Sequence, residues 1–284
     1  RLRAVLQLQL FTVHHYRDPQ LEIFRRNFLP LQVGCALTET DIGILRDDQH
    51  GQLSANNRNY CELTAFDEIA RSAHADYVGV MHYRRIFTVP KPLTLISKDT
   101  EYLFRVLRHR LGLSNKPVER HVTIKISSPE VLETEARALN NYLLSVCERV
   151  DIVTPIPVKY YGITLREQYA RAHPVMYYDR FLSLLSEMHP ELDPFVNTIE
   201  NSQSYYLFNM FIMRRKLFTR YWKILYSTLA ALQQEIDLKL LDTYQERVFG
   251  FLAERFMAIF VRYICATERA RLAHLPVAVC DLES

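Results

Sequence analysis

The stretch YVGVMHYRR, residues 77–85, decides the fold. Its first five residues are apolar and β-rich with no polar residue interposed, which is the pattern of a strand covered on both faces. The apolar run stops at His82, and Tyr83, Arg84 and Arg85 follow at once. Polar chemistry is therefore expected at the carboxyl end of a central strand, the edge where open α/β sheets bind ligands. Upstream, residues 5–14 read as a second buried strand, which brings His14 to the same edge. Between the two, YCELTAFDEIARSA (60–73) sets Leu63, Phe66, Ile69 and Ala70 on one helical face, after Asn56, Asn57 and Asn59, which suit a cap or a turn.

The alternation continues. Ser128 and Pro129 open a helix expected to reach about Arg149, because Ser caps and Pro is tolerated in a first turn. DIVTP (151–155) reads as another strand. This order argues for α/β architecture, a Rossmann-type three-layer sheet. Over the second half, 164–172, 179–188, 214–236 and 245–264 read as helices around a strand at 205–213, so a helical C-terminal portion is expected. The chain is read as a single domain, with 1–160 as its nucleotide-binding α/β part and 161–284 as a mostly helical part completing the acceptor side. It starts on Arg1 and not on Met, so a segment of a longer chain with further domains is expected.

Composition narrows the class. With 49% hydrophobic and 24% charged residues in 284, disorder and fibres are excluded. Thirty-five Lys+Arg against 32 Asp+Glu leave +3, which argues against a dedicated nucleic-acid binder. The five cysteines are odd in number and scattered, which fits a reducing cytoplasm better than a disulfide framework or a zinc site. No apolar run approaches the roughly 18–20 residues of a spanning helix, and RLRAVLQLQLF lacks the layout of a signal peptide. With seven glycines, neither GxGxxG nor GxxxxGK[ST] can be written.

One region is locally basic. From 105 to 125, Arg105, Arg108, Arg110, Lys116, Arg120 and Lys125 face a single acid, Glu119. Leu103, Phe104, Val106, Leu107 and Leu111 are interleaved, so 98–111 reads either as a basic amphipathic helix resting on an anionic membrane or as a solvated helix packed by its apolar face. The periodicity alone leaves both open.

Several polar groups are candidates for chemistry. Arg84 and Arg85 would supply fixed positive charge and forked donors to a phosphate or diphosphate, with His82 and Tyr83 beside them. Asn59, Tyr60, Glu62 and Thr64 cluster at a helix start, where free N–H groups bind an anion or simply need a cap; Cys61 there has no His fixed beside it by sequence. His173 and Asp179 lie near the junction of two helices, where either side chain could deprotonate a hydroxyl or merely end and cap the helices. Asn209 is a polar residue inside an apolar run and needs partners if buried. Glu254 and Arg255 read as an ion pair within a long apolar helix, structural or ligand-binding.

Taken together and in order, NYCELT, YVGVMHYRR, EQYARAH, YLFNMFIM and RVFGFLAERF resemble a bacterial family long known as a domain of unknown function. Its members occur in capsule and lipopolysaccharide gene clusters, and one is an O-antigen galactofuranosyltransferase. The resemblance runs from about Leu10 to Val279, and FLPLQVG (28–34) shares in it. It implies a GT-A-like core and a UDP-sugar donor. His82, Tyr83, Arg84, Arg85, Asn59, Tyr60, Glu62, Thr64, His173, Asp179, Asn209, Glu254 and Arg255 match its motif positions. Where the family has an aromatic, Trp-containing segment after CELT, this chain has AFDEIARS, and 93–125 is a longer, more basic insertion. GT-A transferases commonly end the corresponding strand in Asp-x-Asp to hold a divalent cation on the diphosphate; here Arg84, Arg85 and His82 stand in that place, so no metal is expected.

The expectation is a cytoplasmic hexosyltransferase, peripheral on the inner membrane. It would move galactofuranose or galactose from a UDP-sugar to a glycan or lipid-linked glycan acceptor. Asp179 is the first choice of base, Glu62 the second, with His82 in the catalytic group. Arg84, Arg85, Tyr83, His14, Asn59, Tyr60 and Thr64 would bind the donor, and His173, Asn209, Glu254 and Arg255 the acceptor. The alternative is a non-catalytic glycan-binding or scaffold domain of a polysaccharide-synthesis protein.

Overall fold

A computed structural model describes residues 6–114, 116 and 118–282. The first strand runs Leu8–His14; Val5, included in the expected strand, lies outside the described residues. Leu8–His14 sits between Leu29–Gln32 and Tyr77–His82, parallel to both, and Leu45–Arg46 extends that side in parallel. On the other side of Tyr77–His82, Phe211–Arg214 runs antiparallel, then Ile152–Pro155, and Leu272–Leu275 parallel to Ile152–Pro155. One strand thus enters the sheet at the edge where its parallel neighbours leave it. Arg85–Phe87, Val277–Cys280 and Thr123–Ile126 complete a ten-stranded sheet.

Strand side chains point alternately to opposite faces, and both faces here are covered. Phe11, Val13, Val80, Phe211 and Met213 pack with the helices Leu63–Ser72, Arg215–Glu235 and Val248–Glu268. Leu10, Tyr77, Met81 and Ile212 pack with Leu21–Asn27 and Pro129–Cys147. The result is the expected three-layer α/β fold of the GT-A-like kind. Gly79 makes the central packing possible: a Cβ there would stand 2.5 Å from Leu10 Cδ1 and 2.8 Å from Ile212 Cγ1.

Three sequence expectations are corrected. The helix read over 60–73 is two helices, Asn57–Tyr60 and Leu63–Ser72, broken at Cys61, whose φ is 52°. The strand read over 205–213 is Ser204–Tyr205 and Phe211–Arg214, interrupted where Phe208 and Asn209 take φ of 77° and 49°. Asp179 is not a cap, because its helix starts earlier and spans Val175–Met188. The C-terminal part is mostly helical, as expected, with Phe211–Arg214 in the middle of the sheet, and Leu272–Leu275 and Val277–Cys280 add two strands that the sequence reading did not place. The two halves are therefore interleaved around shared cores. Among the described residues, no helix is long and apolar enough to cross a membrane.

Candidate active site

At the carboxyl edge of the parallel strands lies a cleft of about 630 Å³, lined by four arginines (Arg58, Arg84, Arg85, Arg247) and three glutamates (Glu62, Glu246, Glu254). Its size falls in the usual range for small-molecule sites.

The sheet builds one wall. His82 and Arg85 pair across a two-residue turn, Tyr83-Arg84, that joins Tyr77–His82 to Arg85–Phe87. The Tyr83 N–H donates to the Val13 carbonyl (3.0 Å) and the Cys280 N–H to the Arg84 carbonyl (2.8 Å), so neighbouring strands hold the turn on both sides. Arg84 donates to the Tyr16 hydroxyl at 3.0 Å and lies over the Tyr83 ring. Arg85 lies over Phe208, its Cζ 4.4 Å from the ring centroid, and its buried Nε has no hydrogen-bond partner among the described residues. Burial pulls the Arg85 pKa down, while Glu254 and Glu62 oppose that pull. His82 donates from Nε2 to the Phe208 carbonyl, which can only accept, so the proton sits on Nε2 and Nδ1 is left as an acceptor. Burial holds this imidazole below its ordinary pKa and therefore neutral near pH 7. His15 is open to the cleft's solvent, yet enough protein surrounds it that desolvation lowers its pKa too, against the attraction of Glu62.

Helix ends and the segments between them build the facing wall. Glu62 Oε1 accepts from Asn209 Nδ2 at 2.6 Å, and the same amide nitrogen donates to the Gly250 carbonyl at 2.9 Å. Glu254 is held by the Phe208 N–H on Oε1 (2.8 Å) and by Arg255 Nη1 on Oε2 (3.0 Å). Burial raises the Glu254 pKa, against the pull of Arg255 and the Phe208 N–H. Arg247 donates from Nε to Cys61 Sγ at 3.4 Å and lies over Phe251. Burial, with Glu62 beside it, pushes the Cys61 thiol up to about 12, which disfavours the thiolate a nucleophile needs. Three of the four non-glycine residues with positive φ among the described residues, Cys61, Phe208 and Asn209, border these two carboxylates. Such conformations cost roughly 1–3 kcal/mol each and concentrate where geometry serves function.

Of the residues singled out from sequence, Glu62, His82, Tyr83, Arg84, Arg85 and Glu254 line the cleft. Asn209 is 2% exposed and holds Glu62 from behind; His173 stacks on the lining residues Phe251 (4.0 Å) and Tyr244. Others are corrected to supporting positions. His14 is buried and bonded to Asp18 and Thr12; Asn59 donates to the Glu246 carbonyl. Tyr60 packs on Phe249 and donates to Gln233, and Thr64 donates to Asp47. Arg255, 2% exposed, is spent on Glu254, Gln168 and the rings of Tyr169 and Tyr205. Asp179 does not reach the cleft: it stands on the surface in a bidentate pair with Arg166 at 2.6 and 2.8 Å.

Sequence reasoning missed Arg58, Arg247 and His15. Arg58 lies one residue before the motif NYCELT and Arg247 opens RVFGFLAERF, so the neighbourhoods were marked while the residues were passed over. Among the described residues one group has the spacing to ligate a cation, Cys35, Asp47 and Asp48, and none of the three lines the cleft. Asp47 is already occupied: it accepts from the Gly34 and Cys35 N–H groups and from the Ser54 and Thr64 hydroxyls.

A mostly parallel sheet with Phe211–Arg214 reversed beside its centre, and a cleft rich in arginine at the strand ends, define an α/β protein of the GT-A-like fold. The profile of the family described as "Domain of unknown function (DUF4422)" matches residues 9–265, and the chain belongs to that family. In fold it is similar to the apo structure of the bifunctional glycosyltransferase WbbM, with a TM-score of 0.74 at 23% identity over 98% of this chain. The match takes in 46% of the WbbM chain, so this chain spans about half the length of that protein. No curated protein matches.

Proposed function

We propose that the chain is a glycosyltransferase that moves galactofuranose or galactose from a UDP-sugar to a hydroxyl of a bacterial surface polysaccharide, O-antigen or capsule. The observation that carries this reading is the meeting of four arginines and two held carboxylates in one cleft at the ligand-binding edge of the sheet. The fold shared with WbbM supports it.

In the reaction the acceptor oxygen bonds to the anomeric carbon while the bond from that carbon to the UDP oxygen breaks. Negative charge grows on the departing diphosphate. Arg84 and Arg85, fixed by the clamped turn, supply the countercharge, with Arg58 and Arg247 opposite. This arrangement supports a reaction without a divalent cation. The acceptor proton goes to a carboxylate, and Glu62 is the base in this proposal. Asn209 engages its Oε1, and among the described residues its Oε2 has no hydrogen-bond partner, whereas both oxygens of Glu254 are engaged. His82, neutral and anchored on Phe208, positions the turn.

The test is UDP release by purified protein from a panel of UDP-sugars, UDP-galactofuranose included, with galactose-containing acceptors, with and without chelator. Release that needs acceptor and ignores chelator is expected. Loss of release on chelation would put a metal in the site. Nucleotide or glycan binding without release by folded protein would leave a binding or scaffold domain in its place.

A further inference from the structure

The basic insertion forms a helix, Pro92–Arg110, with no fully buried residue. Its half-buried residues, Thr94, Leu95, Lys98, Tyr102, Val106 and His109, fall on one side, which packs on the strand Val118–Arg120. Successive helical residues turn by about 100°, which gathers Leu93, Ile96, Leu103, Phe104, Leu107 and Leu111 into a single arc about 100° wide. These six are between 53% and 83% exposed. A soluble helix turns its apolar stripe inward. This helix carries one stripe inward and a second, larger one outward.

Cations flank the outward stripe. Arg108 and Arg110 border it on its two sides, and Arg105 and Lys116 join Arg108 around a hollow beside Phe104. Arg110 donates to the Tyr161 hydroxyl and Arg105 to the Glu119 carbonyl; none of the four has an ion-pair partner among the described residues. Phe104, Arg105, Arg108, Ser114, Lys116 and Val118 line a hollow of about 270 Å³ at the stripe's edge. It combines an apolar rim with three positive side chains, which suits one anionic headgroup.

We propose that this surface docks the protein on an anionic phospholipid bilayer, with the leucines and Phe104 in the acyl boundary and a headgroup phosphate in the hollow beside Arg105, Arg108 and Lys116. Apolar insertion and cationic attraction together are what an interfacial helix needs. A second copy is the poorer occupant, because a two-fold contact through the stripe would set like charges against each other. The proposal rests on the transferase reading in one respect. The strand under the helix leads to His121, whose ring lies 5.8 Å from that of Phe208, a cleft residue, so docking brings the cleft near the membrane and a lipid-linked acceptor.

Vesicle co-sedimentation without any donor tests it. The protein is expected to sediment with phosphatidylcholine vesicles containing phosphatidylglycerol and to stay in solution with phosphatidylcholine alone. Replacing Arg105, Arg108 and Lys116 by Gln should weaken partitioning on the order of a hundredfold. Leu103→Ser with Leu107→Ser should abolish it. Both variants should keep the wild-type thermal transition and full transfer to a water-soluble acceptor. Wild-type protein that ignores anionic vesicles, that binds neutral ones equally, or whose binding survives both sets of changes would overturn the proposal. So would self-association that the leucine changes dissolve, since a second copy would then cover the stripe. Binding without UDP release would sink the transferase reading alone, and release without binding the membrane reading alone.

Discussion

The two walls of the cleft reach similar chemistry by different means. The sheet wall hangs Arg84 and Arg85 on a two-residue turn whose backbone is bonded to the flanking strands, so its charges are placed by hydrogen bonds of the fold's most regular part. The opposite wall brings Glu62 from one chain segment and Arg247 and Glu254 from another, held by individual hydrogen bonds and by backbone in left-handed conformations. The first wall is rigid by construction. The second depends on a relay of individual contacts, and each contact is a place where it can be loosened.

Substitutions can break or sharpen this contrast. The largest effect is expected at the chemistry: Arg84→Ala should lower turnover by about 10²–10³ without unfolding, as for loss of a group that stabilises developing charge. Near-normal turnover would remove Arg84 from the mechanism. Glu62→Gln should fall in the range of roughly 10²–10⁴ for a lost general base, with the same melting temperature. On the relay side, Arg255→Ala should destabilise the fold by about 3–5 kcal/mol in urea titration, because it leaves Glu254 buried without its counter-ion. A cost below about 1 kcal/mol would show that Glu254 is protonated or already solvated.

Gly79→Ala should cost about 1–3 kcal/mol by crowding Leu10 and Ile212, with turnover of the surviving folded fraction little changed. The smallest effect concerns pH. As pH falls through 6.5, the unfolded chain takes up a proton at His82 that the folded chain, with its lowered pKa, refuses until lower pH. Stability therefore declines on acidification in that window, by up to about 1.4 kcal/mol per pH unit for this one group. His82→Gln keeps a donor for the Phe208 carbonyl and should flatten the slope by that amount. An unchanged slope would mean that His82 titrates alike in both states.

The sheet wall was legible because a buried strand announces itself: YVGVM is apolar without interruption, and whatever polar residues follow must stand at its end. The same logic found Glu62 and Glu254 through their motifs, yet could not separate Glu254, which faces the cleft, from Arg255, which turns into the core. One residue's rotation about a helix axis decides that, and both neighbours lie in an apolar run. Asp179 was misplaced for a related reason. Its helix starts four residues earlier than expected, on Val175, which carries the carboxylate past the helix start and out to Arg166. The breaks at Cys61 and Phe208 had no sequence signal, since left-handed backbone at Cys and Phe is imposed by tertiary packing and not by residue preference, whereas Asn209 is a residue type that favours that conformation. The C-terminal strands were missed because LAHL and VAVC are short, and short apolar runs do not declare their partners.

The reversed strand Phe211–Arg214 has a consequence for how the protein is made. It separates Tyr77–His82 from Ile152–Pro155, both of which leave the ribosome well before it does. Until it arrives, each of those strands exposes a row of unpaired backbone groups toward the other, and such open edges invite pairing with foreign chains. The cleft cannot exist in that interval either, since Phe208 and Asn209, which anchor His82 and Glu62, are laid down by the same late segment. Nascent chains of this protein should therefore lean on chaperones until Phe211–Arg214 has emerged, and no ligand should gain a foothold in the cleft before then.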